Sequence, residues 1–162
     1  MNQMNSTAVL RAVLEKGGSD LHTACQLFDQ CETVDLETLL GTWKGREFHT
    51  GHPLDGVLKS LNWYGKAFHD AENVDPLLFE KGDDIIAVDP VPLMDKRKLA
   101  KAMGGKARMR MMRFRGKVSA AMIYDNLPIH DHFRKVHDGL LFCMMDWKGD
   151  KQPYFFILEK VK

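Results

Sequence analysis

A chain of 162 residues that is 44% hydrophobic can bury one sizeable core, so neither disorder nor a multidomain layout is the expectation. A formal net charge of +1 argues against binding polyanions over the whole surface, and no apolar run approaches the roughly eighteen residues of a membrane-spanning helix. Three scattered cysteines, Cys25, Cys31 and Cys143, and no basic-then-apolar leader over residues 1–6, point to free thiols and a cytoplasmic protein.

In chain order, Ser6 can cap a helix running to about Lys16. Its stripe is Val9, Leu10, Val13 and Leu14, and Gly17-Gly18 stops it. Ser19 and Asp20 open a second helix whose apolar face holds Leu21, Ala24, Cys25, Phe28 and Cys31. Asp35 can cap a short turn through Leu40. Between Gly17 and Thr42 there are five acidic residues and no Lys or Arg.

At Gly41 the period changes to two. Trp43, Gly45 and Glu47 face one way; Thr42, Lys44, Arg46 and Phe48 face the other. Thr50-Gly51-His52-Pro53 ends this strand, and Leu54, Val57, Leu58 and Leu61 form the stripe of a short helix that Asn62 can close. Such an insert would lie across a barrel mouth as a lid or seal its bottom. Trp63–Phe68 is the second strand. Residues 76–79 and 85–88 form a pair around the turn Lys81-Gly82-Asp83-Asp84, which Pro90 and Pro92 end. Asp95 is expected to cap a helix with Leu99 and Met103 inward, closed by Gly104-Gly105.

From residue 106 the pattern is a meander, with strands expected at 107–115, 118–124, 129–136, Leu140–Trp147 and 153–160. Asp138-Gly139 is a strong hairpin signal. Apolar residues at Met109 and Met111, then at Met112 and Phe114, change parity once; a β-bulge at Met111-Met112 would keep all four on one face. The expected fold is mainly β: an antiparallel barrel of about eight to ten strands with N-terminal helices and a short helix between its first two strands. Residues 1–40 would be a helical segment packed on a barrel of residues 41–162, one structural domain in all.

Gly41-Thr42-Trp43-Lys44-Gly45, Asn62-Trp63-Tyr64-Gly65-Lys66 and Asp75-Pro76-Leu77-Leu78 resemble the bacterial family named for its GXWXG motif. Val118 to Asp125, Leu127-Pro128-Ile129 and Asp131-His132-Phe133 are similar to its partner segment, domain of unknown function 4334. The Gly-x-Trp on a first strand also resembles the calycins (lipocalins, fatty-acid-binding proteins, nitrobindins), in which that tryptophan closes the barrel base. The resemblance implies a calycin-like barrel that holds a lipid, another hydrophobic small molecule or haem. The two N-terminal helices depart from the simplest calycins and could plug, cap or dimerise the barrel, so a homodimer is among the expected arrangements.

The residues themselves offer several candidates. Trp43 is either a plug or a stacking surface for a ligand. Trp63 and Tyr64 fall on opposite faces. Tyr124, ahead of the turn Asp125-Asn126, can orient a ligand or, if its pKa is lowered, act as a general acid. Ile129, Asp131 and Phe133 share one face; Asp131 there would need a partner, for which Arg46, Arg110 and Arg113 are candidates, or a raised pKa. His130 and His132 share the other face and could hold a metal, but His137 has the wrong parity for a third ligand unless a bulge intervenes, so no metal and no cofactor is expected. Haem would need His22, His49, His52, His69, His130 or His132 on a cavity wall. Met109, Met111, Met112, Met122, Met144 and Met145 would line a soft interior. Ten basic residues from Lys96 to Lys117 are either an outer face, docked in part on the acidic N-terminal segment, or a surface for anions; sparse aromatics make nucleic acid an unfavoured partner.

The expected function is binding of a hydrophobic or amphipathic small molecule, such as a fatty acid, at Trp43, Arg46, Tyr64, Met111, Tyr124, Asp131 and Phe133. The alternatives are an enzyme using Tyr124, Asp131 or His130 as acid or base, haem or metal binding, and an interaction protein using the basic face. No nucleophile or phosphate-loop motif is present.

Overall fold

The computed structural model describes residues 2–162, with side chains from residue 7; the first helix already runs through Ser6, so it starts ahead of the proposed cap. Helix α1 spans Asn2–Lys16, α2 Leu21–Gln30 and α3 Leu36–Leu39. Then come β1 (Gly41–Phe48), α4 (Val57–Ser60), β2 (Trp63–Phe68), β3 (Val74–Lys81), β4 (Asp84–Ala87) and α5 (Pro90–Lys96). Five strands finish the chain: β5 (Ala107–Phe114), β6 (Lys117–Tyr124), β7 (Ile129–His137), β8 (Leu140–Trp147) and β9 (Tyr154–Lys160).

The strands pair antiparallel in the order β2-β1-β9-β8-β7-β6-β5-β3, and β2 also pairs with β3, which closes an eight-stranded barrel. β4 hangs outside the ring on β3. β3 meets β5 through the single pair Val74↔Ala107, and α5 sends Leu93 and Met94 into the core beside that narrow seam.

Local chemistry accounts for the elements. Asp20 accepts from Thr23 N at 2.8 Å and Asp35 from Thr38 N at 2.8 Å, capping α2 and α3. Asn62 takes a left-handed φ of 63° after α4. The helix expected to start at Asp95 lies earlier: Asp89 caps it by accepting from Val91 N at 3.0 Å. Pro90 and Pro92, expected only to end a strand, sit in its first turn, where a proline needs no N–H and its φ suits a helix. Leu99 and Met103 consequently lie outside any helix and are exposed.

Two apolar cores lie on opposite faces of the same sheet. One fills the barrel around Trp43, Phe68, Phe79, Met122, Phe133 and Phe156. The other lies outside it, where Leu10 and Leu14 of α1 and Phe28 of α2 cover Phe48, Phe142, Phe155 and Ile157. β8 and β9 are therefore buried on both faces, unbroken over 141–145 and 154–158. The outer core also corrects the expected bulge. β5 pairs with β6 in uninterrupted register from Ala107↔Tyr124 to Phe114↔Lys117. Met109 faces in, while Phe114 faces out against α2, so the change of parity reports two cores on two faces.

The acidic and basic segments meet in part. Arg115 Nε and Nη2 donate to Asp29 at 2.6 and 2.8 Å, and Lys117 Nζ donates to the Asp29 and Cys31 carbonyls at the C-terminal end of α2, where the helix dipole favours a cation. Arg110 pairs with Glu72 instead. All three thiols are free. No described helix is long and apolar enough to cross a membrane.

Candidate functional site

Strand alternation places Trp43, Gly45 and Glu47 of β1 inside the barrel. Trp43 is 1% exposed and its Nε1 donates to Leu39 O at 2.7 Å, so the tryptophan and α3 together seal one end. The mouth is at the other end, where Tyr124, Ile129, Met145 and Tyr154 converge, and α4 and α5 lie over it. There a small, partly open cavity of about 40 Å³ remains, with room for two or three waters.

Glycine makes the cavity wall. A Cβ on Gly45 would lie 2.3 Å from the Trp63 ring, so the second glycine of Gly-x-Trp-x-Gly leaves the space that this indole occupies. A Cβ on Gly65 would lie 1.9 Å from the Trp43 carbonyl oxygen. The register of β2 on β3 shifts on both sides of Gly65. That irregularity lets Trp63 and Lys66, three residues apart, share the interior.

At the cavity floor, Lys66 Nζ lies 2.9 Å from Asp131 Oδ2, and each side chain is 2% exposed. Nζ also donates to Pro76 O at 2.9 Å and lies 5.0 Å from the centre of the Phe156 ring. Asp131 Oδ1 is buried with no hydrogen-bond partner. Burial pushes the Asp131 carboxyl above its ordinary range, with Lys66 opposing the shift. Burial, and then the Asp131 charge, raise the Tyr124 hydroxyl well above its usual value, so it keeps its proton. Tyr154 is held from behind: its hydroxyl donates to Glu47 Oε1 at 2.5 Å, and Glu47 accepts from Gly56 N at 3.1 Å at the start of α4. His52 Nδ1 accepts from Leu54 N at 3.0 Å, so Nε2 carries the proton shared with Asp150 at 2.7 Å. This bond ties the loop before α4 to the β8–β9 turn.

Of the residues expected at the site, Tyr124 and Asp131 line the cavity. Trp43 and Phe133 lie in the barrel core below it. Arg46, Tyr64 and Met111 do not join them. Arg46 is on the outer face of β1 and donates to Leu14 O at 2.8 Å, at the end of α1. Tyr64 is half-buried beneath the exposed Lys44, whose Nζ lies 5.8 Å from its ring centre. Met111 is 45% exposed. None of the arginines proposed for Asp131 reaches it; the partner is Lys66, which the sequence reading missed. Lys66 shares its parity with the buried Phe68, and that was the available signal. No histidine lines the cavity.

The comparisons agree with this barrel. Residues 26–84 match the model described as GXWXG protein, and residues 105–160 match that described as domain of unknown function (DUF4334). The chain belongs to the GXWXG/DUF4334 family. A crystal structure of a protein from Thermomonospora curvata is similar along the whole chain: 36% identity, TM-score 0.82, covering 98% of this chain and 99% of that one. No curated protein matches. In this GXWXG/DUF4334 protein the motif's tryptophan closes the base, its second glycine admits Trp63, and the charged pair lies above them.

Proposed function

We propose that this GXWXG/DUF4334 protein binds a small hydrophobic or amphipathic molecule in the mouth half of its barrel, with the polar end of the ligand on the Lys66–Asp131 pair. The observation that carries the reading is Asp131 Oδ1, a buried carboxylate oxygen without a partner on the wall of an otherwise apolar cavity. Such an atom costs about 1–3 kcal/mol unless something donates to it. The favoured ligand therefore carries a donor, as an alcohol, an amine or a protonated fatty acid does. An ionised carboxylate would meet Asp131 unfavourably.

At about 40 Å³ the cavity is far smaller than the roughly 300–1,000 Å³ of ordinary ligand pockets. A ligand of lipid size thus requires the lid to move. Leu54, Val57 and Leu58 on one side, and Leu93, Met94 and Arg97 on the other, supply six of the fifteen lining residues from segments outside the barrel strands. Their displacement enlarges the cavity without breaking the sheet.

A second reading, acid–base catalysis on the bound molecule, rests on Tyr124 and Asp131 sharing the cavity; the raised Tyr124 pKa opposes proton release and leaves that hydroxyl better suited to donating a hydrogen bond.

Native mass spectrometry of freshly purified protein, followed by titration with decanol, decylamine and decanoate at pH 8, tests the binding. A retained small molecule, or saturable binding of decanol or decylamine in preference to decanoate, is expected. No retained mass and no binding of any of the three would overturn it. Turnover lost in Tyr124→Phe with binding kept would establish the second reading.

A further inference from the structure

The outer face of β7 carries a second constellation, independent of the cavity. His130 and His132 alternate along the strand, on the face opposite Asp131, and the register pairs His130 with Asp146 of β8. One ligating atom from each of His130, His132 and Asp146 lies within 4.8 Å of the others, the one such trio among the described residues. His132 is the decisive member. It is 3% exposed, yet its Nε2 has no hydrogen-bond partner; Asp146 Oδ2 is 3.9 Å away. The Phe114 ring stacks on the imidazole at 3.6 Å and 6°, which fixes the plane of the ring and so the direction of its nitrogens.

We propose that His130, His132 and Asp146 bind a divalent transition-metal ion of the zinc class on the outside of the barrel. Two imidazoles and one carboxylate suit zinc and its neighbours, whereas calcium and magnesium prefer oxygen sets. The donors must close from within 4.8 Å to about 3.5 Å, the spacing implied by metal–ligand bonds near 2.0–2.1 Å. Asp146, 53% exposed, has the freedom to move. Three protein ligands leave a fourth position open. A groove of about 180 Å³ bordered by Phe114, Asp146, Trp147 and Asp150 adjoins it. Arg134, two residues along the same strand and also buried, adds opposing charge and limits the affinity.

The test is titration of the tag-free full chain with Zn²⁺, and in parallel with Co²⁺ followed by its visible absorption. One equivalent per chain and the absorption of a nitrogen- and oxygen-ligated cobalt site are expected. Loss of an outer-shell partner alone weakens metal sites by about 10–100-fold, so His130→Gln and Asp146→Asn should each weaken binding about tenfold or more. Both positions are partly or largely exposed, and both variants should keep the melting temperature of the metal-free parent. Binding unchanged in the two variants, or no saturable binding below about 1 mM, an affinity of only about 4 kcal/mol, would overturn the proposal.

Discussion

β8 and β9 carry two cores, and the two are built differently. On the outer face Phe28, Phe48, Phe142 and Phe155 pack edge-on and stacked, with ring centres 5.1–6.4 Å apart. The charged group buried in it, Arg134, lies over the Phe28 ring at 4.6 Å and donates to Phe114 O at 2.8 Å, with its Nε and Nη1 left without partners. On the inner face, near the mouth, the packing stops short. A cavity, a buried ion pair, an orphaned carboxylate oxygen and an unpaired tyrosine hydroxyl lie together. A face that only had to hold the sheet would be filled by apolar side chains at less cost. The outer core holds the helices on; the mouth of the inner core keeps polar groups and space for something else.

Substitutions should separate the two faces. Phe28→Ala removes the ring that meets Phe114, Phe142 and Phe155, and should cost about 3–5 kcal/mol in chemical denaturation while leaving ligand affinity intact in the folded fraction. Lys66→Met strands the Asp131 carboxylate and should cost about 3–5 kcal/mol, whereas the double variant Lys66→Met/Asp131→Leu should recover most of that loss. If the double variant were as unstable as the single, the pair would be a structural necessity and the contrast between the faces would fail. Gly45→Ala drives a methyl into the Trp63 ring and should cost about 1–3 kcal/mol, with a shift in tryptophan fluorescence as the cavity wall moves. Tyr124→Phe removes a hydroxyl that has no partner and should change stability by less than about 1 kcal/mol. A larger loss would mean that the hydroxyl is held by the fold.

Most of the barrel was legible because its signals were local. Gly41–Phe48, Trp63–Phe68 and Leu140–Trp147 follow from alternation and turn residues and have the expected bounds. The inward set Ile129, Asp131 and Phe133 and the capping by Asp20 and Asp35 were equally local. What failed depended on partners distant in sequence. Phe114 looks misplaced until α2 covers the outer face. Arg46 appeared inward because neither face of β1 is cleanly apolar, and only the return of α1 shows why an arginine belongs outside, on the Leu14 carbonyl. Lys66 shares its parity with Phe68, but the irregular register around Gly65 puts Trp63, of the opposite parity, on the same wall, so the strand's period alone does not say which face is inner. Asp146 could not be joined to His130 and His132 before the β7–β8 register was known, so the third ligand appeared to be lacking.

The central claim is that the Lys66–Asp131 pair is kept for a ligand. Calorimetric titration of decanol into the wild-type chain and into Lys66→Met/Asp131→Leu, both shown to be folded by the same denaturation curves, tests it most directly. The account predicts saturable binding to the wild type and its loss in a double variant that is equally stable or more so. Equal binding by both, or binding by neither, would contradict it.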